Sequence, residues 1–157
     1  AYGRALFVLV RTSNPGARDF QDLESGSEPL FVRVAETLEP LCRRLAGSAA
    51  WSNLGIVAGA TYPDDARRLR QVLPAALFLV PGYGAQGAPA QDALAGFTPG
   101  PDGRLEGGLV NASRSILFPK DAAGATDAAG WERAVDAALD AAIRDLGDAS
   151  RGASGAA

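Results

Sequence analysis

Four short apolar runs, each closed by a loop of small and polar residues, limit what this chain can become. They are Ala5 to Val10, Leu54 to Ala60, Ala75 to Val80 and Gly108 to Ala112. None alternates apolar with polar residues. Runs apolar on both faces suit parallel strands covered on both sides. Parallel neighbours need crossover connections, and helical patterns stand where those connections fall. Pro29 to Ala46 places Leu30, Val34, Leu38, Leu41, Cys42 and Leu45 on one face. Pro63 to Leu73 opens with proline and two acids, a helix-start signature, and carries the stripe Ala66, Leu69, Val72 and Leu73. Pro89 to Gly96 has room for a short helix. Gly130 to Leu146 turns Trp131, Val135, Ala138, Ala142, Ile143 and Leu146 inward. The segments 98–108 and 119–130 read as loops, and 148–157 reads as a disordered tail.

Strand then helix, four times over, is an α/β pattern. It suits an open doubly wound sheet or half of an eight-fold barrel, and in both the ligand sits at the carboxyl ends of the strands. All four polar loops fall there. They are Arg11-Thr12-Ser13-Asn14-Pro15-Gly16, Thr61-Tyr62-Pro63-Asp64, Pro81 to Gly87, and Ser113-Arg114-Ser115.

Composition removes several chemistries. The 157 residues hold no histidine and a single cysteine, Cys42. Ser-His-Asp and Cys-His nucleophile systems, histidine-bound zinc and an internal disulfide are therefore excluded. Cys42 lies on an apolar helix face, where a structural thiol is the usual case. A net charge of -3 with no basic stripe argues against a nucleic-acid partner. No apolar run approaches the roughly 20 residues that span a membrane, and the first run is too short for a signal peptide. A cytoplasmic home is expected. The absence of methionine, together with an opening that enters a strand at once, leads to the expectation that this is a piece of a longer protein.

The third and fourth loops point to an anion. Glycines at 82, 84 and 87 let backbone N–H groups approach a ligand closely. Arg114, just past a strand, offers a rigid fork suited to phosphate, and loops after the last two strands of a barrel often bind one. The bland alternative is a glycine turn beside a surface arginine. The same glycines match G-x-G-x-x-G, but Pro89 follows at once and no strand-ending acid stands about 20 residues on, which disfavours a dinucleotide site. In the first loop, Ser13 and Asn14 have groups that read a base edge, although they are also ordinary turn residues. Asp19 and Asp22 read as cap or solvent acids, Asp64 and Asp65 as first-turn helix acids, and Lys120, the only lysine, as a solvated loop residue.

Four stretches in order carry a family likeness: Val8 to Gly16 (VLVRTSNPG), Val57 to Pro63 (VAGATYP), Phe78 to Gly87 (FLVPGYGAQG) and Leu109 to Arg114 (LVNASR). Together they resemble the orotidine-5'-phosphate decarboxylase family, in its longer bacterial branch, from Ala5 to about Phe118. The resemblance implies a (β/α)8 TIM barrel in which residues 1–147 are the C-terminal half, strands five to eight. It implies that Ser13 contacts the pyrimidine amide edge, that Gln86 bridges base and phosphate, and that Arg114 and the Ser113 backbone hold the phosphate. The implied substrate-binding set is Ser13, Asn14, Pro81, Gly84, Gln86, Gly87, Ser113 and Arg114. The implied ligands are orotidine 5'-phosphate and UMP, and the implied assembly is a homodimer working without metal or organic cofactor.

One departure is large. The family's reactive centre is a Lys-x-x-Asp cluster on an earlier strand, and no such motif occurs here. Loss of carbon dioxide leaves an electron pair on the ring carbon, which an adjacent ammonium stabilises and then protonates. Catalytic residues are thus expected in a missing N-terminal half-barrel, and this chain alone is expected to be inactive. Two other readings stay open. One is a related decarboxylase of a phosphorylated sugar acid, which Ser13 and Gln86 disfavour. The other is a half-barrel that only binds a nucleotide phosphate.

Overall fold

Apolar runs and helical stripes alternate, and the chain folds accordingly. The computed structural model describes residues 3–152. In chain order its first elements are β1 (Leu6–Arg11), the short helix α1 (Arg18–Gln21), the two-residue strands β2 (Glu24–Ser25) and β3 (Glu28–Pro29), α2 (Leu30–Ala46), β4 (Leu54–Ala58) and α3 (Pro63–Val72). Then come β5 (Phe78–Val80), α4 (Ala90–Ala93), β6 (Thr98–Pro99), β7 (Leu105–Glu106), β8 (Gly108–Val110), α5 (Arg114–Leu117) and α6 (Ala128–Gly152). The four expected strands form one sheet in the order β1-β4-β5-β8, and every pair is parallel. Spatial order therefore follows chain order without reversal. A doubly wound sheet reverses at a switch point, whereas a barrel segment steps always to the next neighbour.

The two inner strands are the buried ones. Ile56 and Ala58 of β4 and Phe78 of β5 are fully enclosed, with Leu69 and Leu73 packed over them from the α3 side. Helix α2 contributes Phe31, Val32, Ala35 and Cys42. Each large side chain removed from water in this way stabilises the fold by about 1.5–3 kcal/mol. Gly55 permits the close packing of β1 on β4, because a Cβ there would lie 2.5 Å from the Phe7 ring and 2.6 Å from the Leu77 carbonyl.

Several expectations need correcting. The outer strands are not covered on both sides: Leu6 and Leu9 of β1 are 60% and 67% exposed, and Leu109 of β8 is 57% exposed. They are the sheet's edges, with a neighbour on one side only. Helix α2 packs Val34, Leu38, Leu41 and Cys42 of the expected face on the core and buries Phe31, Val32 and Ala35 as well, while Leu30 and Leu45 at the ends of that stripe are exposed. In α6, Trp131 and Ile143 point outward rather than inward. Helix α6 also runs through 148–152, part of the expected disordered tail. There Ser150 Oγ accepts from the Leu105 amide at 2.9 Å and Arg151 pairs with Asp148 at 2.5 Å. The remainder of that tail, 153–157, lies outside the described residues. The presumed loop 98–108 contains an antiparallel β6–β7 pair.

At the amino ends of β5 and β8 the sheet is closed by one side chain. Arg70, on α3 between Leu69 and Leu73, is buried and donates to the carbonyls of Gly96 (2.7 Å), Leu73 (3.2 Å), Pro74 (3.1 Å), Ala76 (2.7 Å) and Gly107 (2.8 Å). Its guanidinium lies 3.9 Å from the Phe78 ring centre and 5.2 Å from that of Trp51. Burial pushes its pKa down to about 10, which still leaves it charged at neutral pH.

Candidate functional site

At the opposite end of the sheet, each strand opens into a loop, and backbone bonds tie those loops side by side. The Gly59 amide donates to the Arg11 carbonyl (2.8 Å), Ala60 to Pro81 (2.8 Å) and Asn111 to Val80 (3.1 Å). The strand register thus continues past the last paired residues and fixes where the side chains of the loops emerge.

Ser13 sits at the centre of this end. Glycines make room for it: a Cβ on Gly59 would lie 2.8 Å from the Ser13 nitrogen, and one on Gly82 would lie 3.0 Å from its Cβ. Gly82 has φ +107, a conformation that favours glycine in any case. Thr61 Oγ1 donates to the Ser13 carbonyl at 3.2 Å. Upstream, the Thr12 amide donates to Gln21 Oε1 (3.0 Å), Gln21 Nε2 donates to Thr12 Oγ1 (2.9 Å), and Thr12 Oγ1 donates to Asn14 Oδ1 (2.7 Å). The Ser13–Asn14 turn is therefore braced on both sides.

Three hollows open at this end, one of them, about 540 Å³, lying on the α3 side around Arg11, Asp22 and Asp65 and sharing Arg18, Thr61 and Tyr62 with its neighbour; the other two adjoin at Gln86 and Arg114. The larger, about 680 Å³, is lined by Ser13, Asn14, Pro15, Arg18, Thr61, Tyr62, Gln86 and Arg114. A smaller one, about 150 Å³, is lined by residues of the third and fourth loops, among them Pro81, Gly82, Asn111 and Ser113. Gln86 and Arg114 border both. Arg114 is exposed, and among the described residues it has no ion-pair partner. A cation held at the junction of two hollows, with an amide beside it, can take a phosphate in one and present neutral hydrogen-bonding groups to a ring in the other.

Of the residues picked from the sequence, Ser13, Asn14, Gln86 and Arg114 meet in the larger hollow, and Pro81 and Ser113 border the smaller. Gly84 and Gly87 border neither. Their amides are used inside the loop, Gly84 donating to the Ala88 carbonyl at 3.2 Å and Gly87 to that of Gly84 at 2.8 Å. In this conformation these two glycines shape the loop, at φ +71 and +90, instead of offering their N–H groups to an anion. Helix α4 after this loop has four residues, too short for a dinucleotide fingerprint helix. Lys120 lies exposed at the start of a 3-10 turn, Lys120–Gly124.

Arg18, Thr61 and Tyr62 also line the larger hollow, and nothing in their sequence pattern marks them for it. Thr61 and Tyr62 lay in a quoted loop but follow no chemical pattern, and Arg18 belongs to an irregular segment without periodicity. The sequence does not mark the environment of Arg11 either. That guanidinium is buried, with Nη1 2.6 Å from Asp22 Oδ1 and Nε 2.8 Å from Asp65 Oδ2. It lies 3.9 Å from the Tyr62 ring centre and 4.9 Å from that of Phe31. At these distances the opposite charges attract strongly in a setting shielded from water. Burial raises the Asp65 pKa, and the Arg11 charge opposes that rise.

Known proteins are similar to this chain in sequence and in fold. A protein of Halorubrum lacusprofundi named orotidine 5'-phosphate decarboxylase is 44% identical over 120 residues, 73% of this chain and 40% of the relative. The chain belongs to the orotidine 5'-phosphate decarboxylase family. A member from Rhodopirellula baltica is 38% identical over 136 residues, 85% of this chain and 44% of its own length. A Toxoplasma gondii crystal structure, provisionally described as an orotidine-monophosphate decarboxylase, superposes with a TM-score of 0.72 at 29% identity, covering 93% of this chain and 50% of that one. No family model matches. The four-stranded parallel sheet is thus part of the TIM barrel of the orotidine 5'-phosphate decarboxylases. The chain spans less than half the length of the curated relatives above.

Proposed function

We propose that this chain is the C-terminal half-barrel, strands five to eight, of an enzyme that decarboxylates orotidine 5'-phosphate to UMP. The observation that carries the proposal is the convergence of Ser13, Gln86 and Arg114, from three separate loops, on one hollow at the carboxyl end of the sheet. Arg114 takes the phosphate with the Ser113 backbone beside it. Gln86, bordering both hollows, bridges phosphate and ring. Ser13, held by Gly59, Gly82 and Thr61, reads the amide edge of the pyrimidine.

In this reading the chain supplies grip. Binding energy gathered on the remote phosphate lowers the barrier when it is realised in the transition state. The bond-breaking step needs an ammonium next to the ring carbon, and the chain's only lysine, Lys120, stands in an exposed turn outside both hollows. The lysine and aspartates therefore come from the N-terminal half-barrel, whose strands also cover the open edges at β1 and β8. The complete protein acts as a cytoplasmic homodimer. The family names of the relatives support the substrate over a phosphorylated sugar acid, and so does the pairing of Ser13 with Gln86.

The test is direct. The complete protein containing this chain is assayed for carbon dioxide release from orotidine 5'-phosphate and for UMP binding, and residues 1–157 are assayed alone. Turnover by the complete protein and none by the isolated chain is the expected result. UMP binding without turnover would leave a nucleotide-binding protein and remove the decarboxylase reading.

A further inference from the structure

The buried cation Arg11 lines neither the larger hollow nor the one around Ser113, but borders the neighbouring hollow that shares Arg18, Thr61 and Tyr62 with the larger one. It is the last residue of β1, directly before Thr12 and Ser13. Its two acidic partners come from different elements: Asp22 caps the C-terminal end of α1, and Asp65 lies in the first turn of α3. Its flat face lies over Tyr62, which lines the larger hollow. The Ser13–Asn14 turn leaves the strand at Arg11 and returns through α1, whose last residue Gln21 holds Thr12. Pairing Asp22 with Asp65 through one immobile cation thus fixes the span that the turn must bridge, from β1 to α1, relative to the α3 start and Tyr62.

We propose that Arg11 is a positioning residue that holds the Ser13–Asn14 turn in its ring-reading shape by clamping the end of α1 to the start of α3. The proposal rests on the nucleotide reading of the hollow and assigns Arg11 to its base end only. Arg114 and Gln86 are carried by loops after β5 and β8 and share no partner with Arg11. The clamp therefore separates two ligand ends: its loss harms recognition of the ring and spares recognition of the phosphate.

Arg11→Met is made in the complete protein, together with Asp22→Asn, which removes one partner at a half-exposed carboxylate (and with it the looser 3.9 Å pairing of Asp22 to Arg18) and keeps the buried cation paired with Asp65. UMP is the probe for both ends, ribose 5-phosphate the probe for the phosphate end, and amide exchange at Thr12 the probe for the turn itself. Arg11→Met weakens UMP binding by about tenfold and Asp22→Asn by about threefold, with ribose 5-phosphate affinity held within about twofold and faster exchange at Thr12. Equal loss on both ligands, no loss on either, or unchanged exchange at Thr12 in Asp22→Asn overturns the clamp. If the unmodified complete protein binds neither ligand, the nucleotide reading falls, and the Thr12 exchange in Asp22→Asn still decides the clamp.

Discussion

The two ends of the sheet each hold a conspicuous arginine, and the contrast between them separates structure from function. At the amino end, Arg70 is enclosed and has all five of its contacts with carbonyl oxygens of its own chain. At the carboxyl end, Arg114 is exposed at the meeting of two hollows. A guanidinium is a fixed fork of donors, and it must be satisfied by something. Arg70 is satisfied by the fold, so its chemistry is spent on stability. Arg114 is left to water or to a ligand. The lesson is that residue type does not mark a binding site; the supply of internal acceptors does.

The strongest attempt to break this contrast is to remove Arg70. Arg70→Met keeps the aliphatic stem but leaves the buried carbonyls of Gly96 and Ala76 without a donor, while that of Gly107 keeps the Phe78 amide. Unpaired buried acceptors cost about 1–3 kcal/mol each, so unfolding of the complete protein in urea should show a loss of about 4 kcal/mol. A loss under about 1 kcal/mol would mean that water reaches those carbonyls and the amino end is not closed. The converse variant, Arg114→Ala, should leave urea stability within about 0.5 kcal/mol, since surface changes rarely exceed that. It should weaken UMP binding by about 2 kcal/mol or more through lost charge-assisted hydrogen bonds. Unchanged affinity, read by calorimetry, would remove Arg114 from the phosphate site.

A smaller effect tests whether the carboxyl end also depends on the fold behind it. Tyr83, in the glycine loop, donates its hydroxyl to Asp145 of α6 at 2.7 Å. Burial, with Asp145 adding to it, pushes the tyrosine pKa up to about 12, so the donor keeps its proton at neutral pH. Tyr83→Phe should lower stability by about 1 kcal/mol and leave UMP affinity nearly unchanged. A matching loss of affinity would show that α6 tunes the phosphate loop.

The carboxyl end was the more legible of the two in the sequence, for a physical reason. Its side chains sit just past apolar runs, so strand ends locate them without any knowledge of packing; Ser13 and Arg114 stand out in this way, whereas Gln86 stands out only through the family resemblance. Arg70 was invisible because a charged residue between Leu69 and Leu73 reads as the wet side of a helix, and its acceptors are carbonyls, which carry no sequence signal. Arg11 was quoted only as part of a motif, since its partners Asp22 and Asp65 lie 11 and 54 positions away and read locally as cap acids. The wider buried face of α2, which takes in Phe31, Val32 and Ala35 beside the expected stripe, shows the limit of periodicity. Phe31, Val32 and Leu30 are all apolar, so the stripe alone left the buried face undetermined. The bare faces of β1 and β8 follow from their places at the edges of the sheet, which an apolar run does not reveal.

Acid titration offers the finest discrimination between the two ends. Arg70 is held by carbonyls, which do not titrate, whereas one of the two carboxylates that hold Arg11 is Asp65, which does. The folded Asp65 has its pKa raised above the ordinary 3.8, chiefly by burial, so between those two values the folded state binds more proton than the unfolded one. Stability falls with rising pH wherever the folded state holds the extra proton. The Asp65 contribution is therefore fully present below the unfolded value and is lost as pH rises through the folded one, against the usual trend for ion-paired carboxylates. Asp65→Asn removes that component and should steepen the loss of stability on acidification from neutral pH into the carboxylate range. The check is a set of urea titrations across that range for the parent protein and for Asp65→Asn, with Arg70→Met as the control. Its stability deficit should be the same at every pH. A deficit in Arg70→Met that varies with pH would mean the amino-end clasp is coupled to a titrating group after all, and the two ends would no longer be energetically separate.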